Sequence, residues 1–96
     1  MKLYHSVDTR SLRCVWLLEE LGMSYDLDVV PFPPRVKAPE FLAVNPLGTL
    51  PYLVDGDTKM SESVAILEYL LNRYDGGELR LTPDEADYGS WLSWMH

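Results

Sequence analysis

Residues 2 to 30 hold two strand-like runs separated by one helical stripe. Lys2 to Ser6 is a short, largely apolar run that gives way to the polar stretch Ser6-Val7-Asp8-Thr9-Arg10, as a brief buried strand followed by a loop should. From Ser11 the period changes. Cys14, Leu17, Leu18 and Leu21 fall at i, i+3, i+4 and i+7, Glu19 and Glu20 turn away, and Gly22 stops the pattern. Ser24 to Val30 then returns to alternating and β-branched residues. Two strands joined through a helix pair in parallel by a right-handed crossover, so this opening demands a sheet with at least one covered face.

The rest of the chain extends that sheet in the opposite sense. Pro31-Phe32-Pro33-Pro34 removes backbone donors and forces an irregular course, and Lys37 to Val44 reads as a short helix ended by Asn45-Pro46. Thr49 to Val54 reads as a strand, and Asp55-Gly56 supplies the turn that lets Thr58 to Met60 pair back antiparallel. Ser61-Glu62-Ser63 stands ahead of the wide apolar face of Val64, Ile66, Leu67, Leu70 and Leu71, with Gly76-Gly77 beyond it, and predicts a third helix. The expected fold class is α/β: a four-stranded mixed sheet, βαβ then ββα, with helices on both faces.

Thr82-Pro83-Asp84 reads as one more helix start, followed by Tyr88, Trp91 and Met95 at i, i+3 and i+7 with Trp94 beside them. That apolar face has no remaining sequence to pack on, which predicts that residues 1–96 are the front part of a longer protein. Trp91 and Trp94 are read first as a helix-packing surface and second as lining for an apolar pocket.

Composition limits the partners. Fifteen acidic residues against eight basic ones give a net charge of −7, which repels nucleic acid and anionic lipid over any broad contact. The single cysteine, Cys14, cannot form an internal disulfide, so a reducing cytoplasm is the expected setting. No cysteine stands three residues from it, which excludes a CxxC dithiol, and no Cys, His, Asp or Glu set has metal-ligand spacing, so no metal is expected. There is no run of roughly 20 apolar residues that would cross a membrane.

The segment from Asn45 to Ile66 carries the most chemistry. A proline at the head of a strand removes one ladder donor, and a cis Leu50–Pro51 bond would turn the Leu50 backbone toward a ligand. Glu62 and Ser63 stand at a helix N-terminus, where free N–H groups attract a carboxylate while Glu62 attracts an ammonium. Together these features suit an amino-acid-like or peptide-like ligand, although each residue taken alone is better explained as a turn or a cap.

Through Leu12-Arg13-Cys14-Val15-Trp16-Leu17-Leu18-Glu19-Glu20-Leu21-Gly22, Asn45-Pro46-Leu47-Gly48, Leu50-Pro51 and Glu62-Ser63-Val64-Ala65-Ile66, the sequence resembles the thioredoxin-like N-terminal domain of glutathione S-transferases. The resemblance covers about residues 1 to 80; residues 81 to 96 look like the linker and the start of the first helix of the family's all-α second domain. It implies a domain that binds glutathione as co-substrate and conjugates its thiolate to a small hydrophobic electrophile, in a protein that dimerises at full length. Most of the family's electrophile pocket lies in the second domain, so residues 1–96 by themselves are expected to have little or no activity. A non-catalytic interaction module and a glutathione-dependent reductase or peroxidase are the competing readings.

Position by position, the resemblance makes Pro51 the family's cis-proline and Leu50 the residue whose main chain pairs with the cysteinyl part of glutathione. Glu62 and Ser63 match the pair holding the γ-glutamyl end, and Thr49 stands where the family often has Lys or Gln. The thiol-activating hydroxyl falls on Thr9 or Ser11, with Ser6 and Tyr4 as lesser candidates and Arg10 where cysteine-type members carry cysteine. Ser11 reads equally well as a plain N-cap, and Thr9 as a loop residue. Arg10, Arg35 and Lys37 read as solvated charges that are also able to meet an anionic ligand.

Overall fold

The computed structural model describes residues 1–74 and 79–96. Its elements run β1 (Lys2–His5), α1 (Leu12–Glu20), β2 (Asp26–Val29), α2 (Pro34–Lys37), a 3-10 segment (Pro39–Ala43), β3 (Tyr52–Asp55), β4 (Thr58–Ser61), α3 (Ser63–Tyr74) and α4 (Tyr88–Met95). The strands lie in the order β2-β1-β3-β4, with β1 parallel to β2 and antiparallel to β3, and β3 antiparallel to β4. This is the mixed four-stranded sheet that the crossover and the hairpin require.

The pleat divides the core in two. Leu3 faces Leu53 across β1 and β3, and Tyr4 faces Tyr52 one residue along, so the two pairs project from opposite sides of the sheet. Leu3 and Leu53 join Cys14 and Leu18 of α1 and Ile66 and Leu70 of α3 in the main cluster, all fully buried. Tyr4 and Tyr52 pack with Val30, Ala38 and Phe41 on the other side, where the Tyr4 and Phe41 ring centroids are 5.1 Å apart. The helical stripe of α1 therefore does what its spacing predicts: it buries Cys14 and Leu18 and leaves Glu19 and Glu20 in solvent. A Schellman-type end stops it at Gly22, whose φ is +65°, with the Met23 N–H donating to the Leu18 carbonyl at 3.1 Å.

Three boundaries differ from the sequence expectation. The helix expected over Lys37 to Val44 is instead a 3-10 segment over Pro39–Ala43, and the one helical turn nearby, α2 at Pro34–Lys37, lies mostly ahead of it, where an irregular course is expected. Ala38, the residue before Pro39, is driven out of the helical region to φ −139°, ψ 63°. The strand expected from Thr49 begins only at Tyr52, because Pro51 has no N–H for the ladder. The tail helix begins at Tyr88 and not beside Pro83; Thr82 instead closes a turn, its N–H and hydroxyl engaging Glu85 and Asp84 and its carbonyl accepting the Glu85 N–H. Gly76-Gly77, expected after the third helix, lie outside the described residues.

The loop that leads into β3 is fastened by Asn45, which is buried. Its Nδ2 donates to the Thr49 carbonyl at 2.9 Å and to Thr49 Oγ1 at 3.2 Å, and its Oδ1 accepts the Leu47 N–H at 3.2 Å. Arg35 Nε donates to the Leu47 carbonyl at 2.9 Å. Gly48 has φ +65°, and a Cβ there would lie 2.7 Å from Arg35 Cγ and 2.9 Å from Leu42 Cδ2, so only glycine fits. These contacts fix the approach of the cis Leu50–Pro51 bond to the sheet.

Candidate functional site

Two helices begin at the same place. The starts of α1 and α3 converge on a cavity of about 480 Å³ lined by Arg10, Arg13, Glu62, Ser63, Val64, Ala65 and His96. Each helix N-terminus brings the positive end of its dipole, although the first N–H groups of α1, at Leu12, Arg13 and Cys14, already donate to the Thr9, Arg10 and Ser11 carbonyls. Two guanidinium groups add to that field and one carboxylate, Glu62, opposes it, so the cavity is locally positive in a chain of net charge −7. Such a cavity suits a ligand that carries carboxylate together with an ammonium for Glu62.

Glu62 and Ser63, named from the sequence, thus share one cavity with Arg10. Glu62 is exposed and holds φ +73°, a left-handed conformation that a non-glycine residue adopts only under compensation. Its carbonyl accepts the Ile66 N–H at 3.0 Å and so starts the ladder of α3. Ser63 is 7% exposed, and its carbonyl accepts the Cys14 thiol proton at 3.8 Å, tying α3 to α1. Arg13 was not singled out from the sequence. The signal was present, since Arg10 and Arg13 are three apart at a helix start, and both line the cavity.

Leu50 and Pro51 do not line this cavity. Pro51 is buried, and the Leu50 side chain packs on the Val30, Ala38 and Phe41 cluster. Thr49 has both its carbonyl and its hydroxyl engaged by Asn45, and Arg35 is held by the Leu47 carbonyl; Lys37 is exposed at the end of α2.

The hydroxyl candidates separate sharply. Ser11 is 0% exposed, and its Oγ lies 2.6 Å from His5 Nδ1, 2.5 Å from Thr9 Oγ1 and 3.1 Å from the Ser6 N–H that donates to it. Ser11 occupies the N-cap position of α1, yet its hydroxyl makes no cap hydrogen bond and points back to β1. Thr9 is half-buried and donates to the Ser6 carbonyl at 2.7 Å. Ser6 is buried and gives its hydroxyl proton to the Val30 carbonyl at 2.5 Å, and Tyr4 is a packing residue of the second cluster.

Cys14 lies under the cavity and not in it. Burial pushes its thiol up to about 12, against the smaller opposing pull of the Arg13 charge. At pH 8 the thiolate fraction is then on the order of 10⁻⁴, so a thiol reagent such as Ellman's should react with Cys14 only as fast as the chain opens. Rapid stoichiometric labelling of the folded protein would place this side chain at the surface.

A second cavity of about 440 Å³ lies between α1, α3 and α4 and is lined mainly by Trp16, Leu17, Leu67, Leu71, Trp94 and Met95. Trp94 is 90% exposed, whereas Trp91 stacks on Tyr88 and donates Nε1 to the Leu79 carbonyl at 3.0 Å, so the two tryptophans expected on one face serve different surroundings. Among the described residues no three His, Cys, Asp or Glu side chains cluster as a metal site would need, and no helix is long and apolar enough to cross a membrane.

Comparison with known proteins identifies the family of this fold. A family profile described as "Glutathione S-transferase, N-terminal domain" matches residues 3–78. Glutathione S-transferase 3 of Schizosaccharomyces pombe is 35% identical over 94 residues, which is 98% of this chain and 39% of that protein. Among solved structures, a glutathione S-transferase from Actinobacillus pleuropneumoniae superposes with a TM-score of 0.83 at 33% identity, over 97% of this chain and 45% of that one. A sphingomonad glutathione S-transferase complexed with glutathione gives 0.80 at 30% identity, over 99% of this chain and 49% of that one. The chain therefore spans less than half the length of each of these proteins. The match of the family profile across most of the sequence, together with the shared sheet, shows that the chain belongs to the glutathione S-transferase family, whose N-terminal domain it carries.

Proposed function

We propose that residues 1 to 80 bind glutathione and stabilise its thiolate for transfer to a small electrophile, and that residues 81 to 96 are the linker and first helical segment of a second domain. The observation that carries this reading is the positive cavity between two helix starts, with Glu62 as its one carboxylate, in a member of this family. Glu62 takes the γ-glutamyl ammonium, and the Ser63 hydroxyl with the first N–H groups of α3 takes the γ-glutamyl carboxylate. The Leu50 main chain, beside cis Pro51, pairs with the cysteinyl unit. Thr9 gives a hydrogen bond to the sulfur; Ser11, sealed behind it, acts through Thr9. Arg10 and the positive end of α1 favour the thiolate over the thiol.

The nucleophile is the ligand's own, so the domain contributes orientation and charge stabilisation and not a covalent intermediate. No metal takes part in this scheme, and neither nucleic acid nor membrane is a partner. Assembly as a homodimer at full length and a cytoplasmic location complete the proposal. A non-catalytic binding module is favoured by one observation, the complete burial of the Ser11 hydroxyl, which leaves Thr9 alone in front of the sulfur. Calorimetric titration of glutathione into the folded protein tests the reading: saturable binding of one equivalent per chain is expected, and a flat titration would overturn it.

A further inference from the structure

Three short contacts meet around the hydroxyls at the start of α1. Ser11 Oγ lies 2.6 Å from His5 Nδ1 and 2.5 Å from Thr9 Oγ1, and Thr9 Oγ1 lies 2.7 Å from the Ser6 carbonyl oxygen. Each such contact needs one proton between its atoms, because facing lone pairs repel at this distance. The two hydroxyls supply two protons and the carbonyl supplies none. The third must come from the imidazole. Only one arrangement then fills all three contacts: His5 Nδ1–H donates to Ser11, Ser11 donates to Thr9, and Thr9 donates to the Ser6 carbonyl. The Ser6 N–H brings its own proton to Ser11 at 3.1 Å, so Ser11 accepts two hydrogen bonds and gives one. A ring protonated on Nε2 alone would leave one short contact without a proton.

We infer that His5 is a positioning residue whose Nδ1–H sets the direction of a hydroxyl chain, His5 to Ser11 to Thr9, and so fixes Thr9 as the donating end of that chain, its proton held by the Ser6 carbonyl in this structure. His5 is 9% exposed at the end of β1, and burial holds its imidazole below the usual histidine range, so the ring is neutral at pH 7 and carries one proton. With one lone pair accepting from Ser11 Oγ and the other facing the Ser11 N–H at 3.4 Å, Thr9 has only its own proton to offer. The role of that proton rests on the function proposed above: the glutathione sulfur replaces the Ser6 carbonyl as the end of the chain and receives a hydrogen bond that favours thiolate.

Two readouts on the ¹⁵N-labelled protein test this separately. Long-range ¹H–¹⁵N correlation of the imidazoles, with the His5 signals assigned by their loss in His5→Asn, should find Nδ1 protonated and Nε2 unprotonated; the reverse tautomer overturns the chain direction whether or not glutathione binds. The second readout is the ultraviolet thiolate absorbance of bound glutathione against pH. His5→Asn keeps an amide donor near the Nδ1 position and should titrate as the wild type does. His5→Gln moves the donor to the Nε2 position and should need about tenfold less acid before the thiolate forms, a pKa about one unit higher. Equal titrations for His5→Gln and wild type overturn the positioning role while leaving the binding site in place. A wild-type protein that does not bind glutathione removes the proposed function, and the tautomer alone then decides the chain.

Discussion

Glu62→Gly is expected to lose glutathione and gain backbone relief in one substitution. Glu62 is the one carboxylate lining the cavity, beside Arg10 and Arg13, so its removal leaves the ligand's ammonium facing two positive charges. A hydrogen bond to a charged group contributes about 1.5–3 kcal/mol, which converts to binding weaker by about 10- to 100-fold. The same residue holds φ +73°, where a side chain crowds the backbone and glycine does not. Glu62→Ala removes the carboxylate but keeps the crowding. Both variants should therefore lose binding alike, while urea denaturation finds the glycine variant more stable than the alanine variant by about 1 kcal/mol. Retained affinity in either would remove Glu62 from the site, and equal stabilities would mean that the left-handed backbone costs nothing here.

Leu53→Ala should cost the fold about 3–4 kcal/mol and lower Tm by roughly 15–25 °C. Leu53 sits in β3 opposite Leu3 on one side and Met60 on the other, and it is fully buried with Leu18, Ile66 and Leu70. Removing its isobutyl group opens a cavity where both antiparallel pairs and both helices meet. Domains of this size are held by about 5–10 kcal/mol, so the loss is a large share of the total. Val36→Ala, at a side chain 75% exposed, is the matched control and should stay within about 0.5 kcal/mol of wild type. A loss below about 1 kcal/mol for Leu53→Ala would contradict the described core.

The parts of the fold legible in the sequence are those whose signal is local. Cys14 and Leu18 announce a buried face by spacing alone, and the strand-helix-strand opening allows one crossover hand, so the mixed sheet followed without any contact being known. Where two local signals compete, the sequence reading failed. Lys37 to Val44 reads as one helix, but Pro39 drives Ala38 out of the helical region, so α2 ends at Lys37 and only a 3-10 segment follows. Thr82-Pro83-Asp84 has the composition of a helix start, yet the Thr82 side chain and N–H found Asp84 and Glu85 first and made a turn.

The candidate site divides in the same way. Glu62 and Ser63 were nameable because a helix N-terminus declares its own electrostatics, and residue type with local position is all that such an argument needs. Thr9 and Ser11, two residues apart, were indistinguishable as hydroxyls in a list. Only the packing of β1 against α1 puts Ser11 wholly inside, against His5, and leaves Thr9 half-buried. Arg13 joined the site only when α3 came to lie beside α1, as the bond from the Cys14 thiol to the Ser63 carbonyl records. The sequence by itself determined the four strands, α1 and α3, their order and the charge at the start of α3, because periodicity and end chemistry act over a few residues. The tertiary structure alone decided which side chains share a cavity and which of the two hydroxyls is wholly buried, because those depend on neighbours up to about fifty positions apart.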